Sequence, residues 1–145
     1  MASVSTYLNF PGNTEAAFEF YRSVFGTSFD GAGIMRMRDA PADPAHPRPP
    51  ADDNLVMHVS LPILGGHRLM GTDATESMGF KLVSGNNVYI NLEPDTRAET
   101  DRLFAALAAG GQVQMPLQEM FWGDYFGSLV DRFGVQWMFN CASKT

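Results

Sequence analysis

The sequence predicts an α+β fold made of two similar halves, and three observations predict it. The first is an internal repeat: Tyr7-Leu8-Asn9-Phe10 lies 82 positions before Tyr89-Ile90-Asn91-Leu92, and at the same offset Tyr21 and Phe25 fall on Leu103 and Leu107. The second is the order of patterns, which in each half runs strand, helix, then three strands. The third is the closing stretch Met120 to Cys141, where bulky aromatic and aliphatic segments are broken by turn signals at Gly123-Asp124 and Asp131-Arg132-Phe133-Gly134. Such residues favour strands, and glycine and aspartate suit the reversals between them. One helix covers one face of each four-stranded sheet, so the other faces must meet each other or enclose something.

Taken in order, Val4 to Phe10 reads as a short strand ended by Pro11-Gly12. Asn13 or Thr14 can cap a helix to Phe25, with Glu15 in its first turn and Ala17, Phe18, Tyr21, Val24 and Phe25 on one apolar face. Gly26 stops it. Phe29 to Met37 is expected as a strand, interrupted by Gly31 and Gly33. Arg38 to Asn54 contains Pro41, Pro44, Pro47, Pro49 and Pro50, so it can be neither helix interior nor central strand. It is expected to be a long surface excursion, a lid or an arm toward a partner subunit, with His46 solvated.

Leu55 to Leu64 reads as a strand meeting the hairpin signal Gly65-Gly66, and His67 to Asp73 returns. Thr75 to Gly85 is small and polar, a connector. Asn86 to Leu92 is the next strand, and Pro94-Asp95-Thr96 opens a helix with Leu103, Phe104 and Leu107 inward. Gln112 to Phe121 leads into the closing meander. The expected organisation is one domain over 1–145, built of module 1–74, connector 75–83 and module 84–145, with the Pro-rich loop 38–54 inside the first.

With 145 residues, 45% of them hydrophobic, the chain can bury a core. A net charge of −6 leaves no basic footprint for nucleic acid. No apolar run approaches the roughly 20 residues of a membrane span, and the N-terminus lacks a signal-peptide pattern, so a cytoplasmic location is expected. The single cysteine, Cys141, excludes an internal disulfide and reads as an inert thiol.

Trp122-Gly123-Asp124, Phe126-Gly127 and Asp131-x-Phe133-Gly134-x-x-Trp137 together resemble the closing signature of the vicinal oxygen chelate superfamily. That superfamily holds glyoxalase, bleomycin-resistance and extradiol dioxygenase proteins. The match is to its PhnB-like branch, often labelled 3-demethylubiquinone methyltransferase-like. The opening matches too, through Tyr7-Leu8-Asn9-Phe10-x-Gly12-Asn13, Glu15-Ala16, Phe20-Tyr21 and Val24-Phe25-Gly26, as does the middle, through Met57-His58 and Leu69-Met70-Gly71-Thr72-Asp73. The resemblance implies tandem βαβββ modules whose mixed sheets curve around a common cleft.

It also implies where metal ligands lie in metal-using relatives: the first and last strand of each module. The matching windows here are Ser5-Thr6-Tyr7, Leu69 to Asp73, Asn87-Val88-Tyr89 and Gln136-Trp137-Met138. They offer one good hard-metal ligand, Asp73, where a catalytic site wants about three. No metal is expected. No P-loop, nucleophile elbow or dinucleotide glycine loop is present, so no cofactor is expected and the methyltransferase label gains no support.

His58, in the apolar strand Leu55-Val56-Met57-His58-Val59, can act as a general base or hold a ligand's polar group. Glu119 lies among apolar neighbours, where burial would raise its pKa and suit acid/base work. These two are the catalytic candidates. Tyr7, Asn9, Asp73, Asn91, Trp122 and Trp137 are the ligand-binding candidates, with Asn9 and Asn91 at the repeated position. Each also has a structural reading: core aromatic, turn-shaping aspartate, outward-facing glutamate. The expected function is metal-free binding of a small, partly aromatic or apolar molecule between Trp, Phe and Met walls. The alternative is an enzyme using His58 with a carboxylate. A homodimer is expected, because sheet edges and the Pro-rich arm need cover; sedimentation as a single chain would contradict it.

Overall fold

The structure, a computed structural model, describes residues 1–145. The chain divides into two compact units, Met1–Val83 and Ser84–Thr145. The first runs β1 (Thr6–Phe10), α1 (Thr14–Phe25), β2 (Met35–Arg36), β3 (Val56–Pro62) and β4 (Arg68–Asp73). The second runs β5 (Ile90–Leu92), α2 (Arg97–Ala108), β6 (Gln112–Glu119), β7 (Tyr125–Val130) and β8 (Gln136–Cys141). The sheets have the same topology, β1-β4-β3-β2 and β5-β8-β7-β6. In each, the first and last strands pair in parallel and the remaining pairs are antiparallel. These are the two mixed-sheet βαβββ modules of an α+β fold.

In the first unit, Ala17, Phe18, Tyr21 and Val24 of α1 are buried against Val59, Leu61 and Leu69. A side chain on Gly71 would meet the Phe18 ring at 2.5 Å, so β4 needs glycine where the helix presses closest. The helix starts differently from expectation. Asn13 makes no side-chain cap; the Asp73 carboxylate, at the end of β4, accepts from the Thr14 N–H at 3.0 Å and from the Val56 N–H at 2.8 Å. At the other end Gly26 takes a left-handed conformation, φ 67°, and its N–H bonds Arg22 O.

The second expected strand is shortened to Met35–Arg36. Gly31 and Gly33 adopt positive φ and the Gly33 N–H bonds Asp30 O, so residues 30–33 turn instead of extending. The Pro-rich segment leaves and rejoins through a neck: the Met37 N–H bonds Leu55 O and the Arg38 N–H bonds Asp53 O. Short 3₁₀ turns at Met37–Asp39 and Pro50–Asp52 flank it.

In the second unit, Trp137, Phe139 and Cys141 of β8 and Leu129 of β7 are buried with Leu103, Phe104 and Leu107 of α2. Thr96 caps α2 by accepting from the Glu99 N–H. The expected strand from Asn86 contracts to Ile90–Leu92, because Val88 O accepts from the Gln136 side chain instead of a strand partner. Strand β6 carries Pro116, tolerated because β6 is an edge, and its register slips between Met115 and Gln118. It stops at Glu119, where Met120 and Gly123 form the turn.

The Asp131-x-Phe-Gly-x-x-Trp pattern proves to be a folding knot. One Asp131 oxygen accepts from the Phe133 and Val135 N–H groups, and the other accepts from Trp137 Nε1 at 2.9 Å.

Candidate functional site

Strand alternation gives the first sheet one face under α1 and one open face. The register places Tyr7 beside Met70, Asn9 beside Thr72, Ser60 beside Met70 and Met35 beside His58, all on the open face. The Tyr7 hydroxyl lies 3.0 Å from His58 Nδ1, with the two rings 5.7 Å apart. Partial burial of this phenol raises its pKa above the usual value. A neutral phenol donating to Nδ1 leaves Nε2 of the imidazole for another partner.

His58 also lines a cavity of about 490 Å³, with Asp30, Gly31, Gly33, Ile34, Met35, Asp39 and Ser60 among the other lining residues. The glycine-rich turn that cut short β2 therefore forms one wall, and β3 forms another. Asp30 is locked in place: its Oδ2 accepts from Ser60 Oγ at 2.7 Å and from Arg68 Nε at 2.8 Å. These bonds, that with Arg68 foremost, hold its carboxyl below the ordinary range. Sequence reading missed Asp30, Asp39, Ser60 and the loop. The available signal was Ser60 two residues after His58, hence on the same face, and a Gly-x-Gly inside a predicted strand.

The other candidates lie elsewhere. Asp73 is on the face under α1 and fully committed to two backbone N–H groups. Asn9 is on the open face beside Thr72, and Asn91 holds the same position in the second sheet beside Met138. On that second open face the Tyr89 hydroxyl donates to Gln114 Oε1 at 2.8 Å. Tyr89 directly precedes the edge strand β5 and Gln114 lies on the opposite edge strand β6, so this bond spans the sheet. Trp122 is in the β6–β7 turn, 47% exposed, with Phe121 at 5.0 Å and Phe126 at 6.0 Å. Trp137 is 0% exposed beneath α2, so it is core and lines no open surface.

Glu119 reverses its expectation. It is exposed and ion-paired to Arg97 at 2.9 Å and Lys144 at 3.5 Å, so its pKa falls, chiefly through the Arg97 hydrogen bond, instead of rising. The apolar neighbours in sequence point to other faces; burial did not follow from them.

The donor set of this chain does not fit a resident metal. No group of three His, Cys, Asp or Glu side chains converges. His58 is bonded to Tyr7, His67 to Thr6, and Asp73 is consumed by backbone caps.

A family profile described as 3-demethylubiquinone-9 3-methyltransferase matches residues 2–139. The chain belongs to this family. Among its relatives, Protein YjdN of Escherichia coli (strain K12) is 32% identical over 97% of this chain and 96% of that protein. The crystal structure of protein PA1353 from Pseudomonas aeruginosa superposes with a TM-score of 0.82 at 35% identity, covering 97% of this chain and 98% of that one. A putative 3-demethylubiquinone-9 3-methyltransferase, PhnB protein, from Bacillus cereus follows with a TM-score of 0.74 at 26% identity, over 97% and 100% of the two chains. A glyoxalase/bleomycin resistance protein/dioxygenase family enzyme from Burkholderia phytofirmans PsJN shares the fold, with a TM-score of 0.61 at 21% identity over 95% and 98%. The methyl-transfer chemistry in the family's description has no nucleotide-type glycine loop to rest on here. After β1 the chain turns through Pro11-Gly12 into an α1 whose first N–H is already taken by Asp73. No helix of this family member is long and apolar enough to cross a membrane.

Proposed function

We propose that this protein binds a small molecule in the cavity of its first module, in a sequestering or sensing role. The observation that carries the reading is the cavity itself. At about 490 Å³ it is of ligand size, with apolar Ile34 and Met35 and a few fixed polar groups, His58 and Ser60 foremost. Tyr7 fixes the imidazole and Asp30 fixes Ser60, so both polar groups are preorganised. Glu119, tied to Arg97 and Lys144, gives no support to an acid/base pair with His58.

The test uses benzyl alcohol as a small, uncharged, partly apolar probe followed by ligand-observed NMR. Binding is expected to the native protein and to be lost in Ala32→Trp, which places an indole in the exposed rim of the cavity without touching the core. Binding that survives Ala32→Trp but disappears in Trp122→Ala would move the site to the exposed aromatic cluster and contradict the reading.

A further inference from the structure

The charges around the cavity narrow the ligand class; this step rests on the binding reading above. The titratable lining residues are Asp30, Asp39 and His58, and no lysine or arginine lines it. Asp30 spends Oδ2 on both Ser60 and Arg68, and Asp39 spends Oδ2 on the Arg36 N–H at 2.8 Å. Each keeps Oδ1 for another donor.

The nearby cations are all held by partners within the protein. The Arg36 guanidinium is held by Glu15 at 2.9 and 3.0 Å and by Asn54 O, and that of Arg38 bonds the Asn54 side chain. Arg68 neutralises Asp30. Asp39 makes no ion pair, and the Arg36 charge acts on it only at a distance, in a wall that also offers the side chains of Ile34 and Met35.

We propose that the cavity takes an organic cation, a protonated amine or amidine attached to an apolar body. The cationic group meets the free oxygens of Asp39 and Asp30, and the apolar part lies along Ile34 and Met35. With Nδ1 accepting from Tyr7, the imidazole Nε2–H donates a further hydrogen bond to an acceptor on the ligand's body. An anionic ligand would face the Asp39 carboxylate, which has no ion pair, beside an Asp30 whose charge Arg68 already offsets, and would find no cationic side chain in the lining.

The experiment compares three probes of matched size on the intact chain by NMR titration: benzylamine, benzyl alcohol and benzoate. Benzylamine is expected to bind roughly fivefold more tightly than benzyl alcohol, as for one partly exposed charge contact, with benzoate weakest. Raising the salt concentration should narrow the amine's advantage. Asp39→Asn should close the gap between amine and alcohol; the amide oxygen still accepts from the Arg36 N–H, so the loop is kept. An advantage that persists in Asp39→Asn, or tighter binding of benzoate, overturns the charge assignment while leaving the binding reading standing. Failure of all three probes to bind overturns the binding reading and this inference with it.

Discussion

Trp137→Ala is expected to lower unfolding stability by about 3–5 kcal/mol, as for deletion of a large buried aromatic side chain. The indole is 0% exposed, stands on the buried face of β8 with Phe139 and Cys141, and donates to Asp131. Its loss leaves a cavity and also frees an Asp131 oxygen that had a buried donor. Trp122→Ala should cost under about 1 kcal/mol, because the ring is half-exposed and contacts only Phe121 and Phe126 among aromatic rings. Urea denaturation of both variants separates the two tryptophans. Equal losses would contradict the assignment of Trp137 to the core and Trp122 to the surface.

Asp73→Ala is expected to cost about 2–4 kcal/mol, since it strands two backbone N–H groups, of Thr14 and Val56, in a buried setting. The two bonds tie the start of α1 and the start of β3 to the end of β4, so the loss falls on the whole first module. Asp73→Asn, with one side-chain oxygen in place of two, should recover part of the loss. Both effects belong in the denaturation midpoint. A variant that folds as firmly as the native protein yet no longer binds benzyl alcohol would return Asp73 to the ligand-binding set.

The same two residues show what was legible in the sequence and what was not. Periodicity, turn chemistry and the 82-residue repeat carried both helices and most strands, because those signals reflect local backbone preference and one-sided burial. Strand Phe29 to Met37 failed because two positive-φ glycines outweigh the β-prone residues around them. The site was half visible. His58 stood out as a titratable group in an apolar strand, and its partner Tyr7 belonged to the opening motif. Asp30 and Asp39 did not, since their place in the cavity wall comes from a turn and from the neck of the Pro-rich loop, which no period encodes. Trp137 and Asp73 were drawn into the site by motif membership. A motif records what the fold requires as readily as what a ligand requires, and in both cases the hydrogen bonds show the fold's requirement. Glu119 carried a different lesson: apolar neighbours along an edge strand alternate between faces, so they do not bury the residue between them.

The most direct measurement of the central claim is an amide chemical-shift map of the isotope-labelled protein during titration with benzyl alcohol. Saturable shifts are expected to centre on Gly31, Gly33, Met35, His58 and Ser60, the walls of the first-module cavity. Shifts centred instead on Phe121, Trp122 and Phe126, or no saturable shift at all, would contradict it.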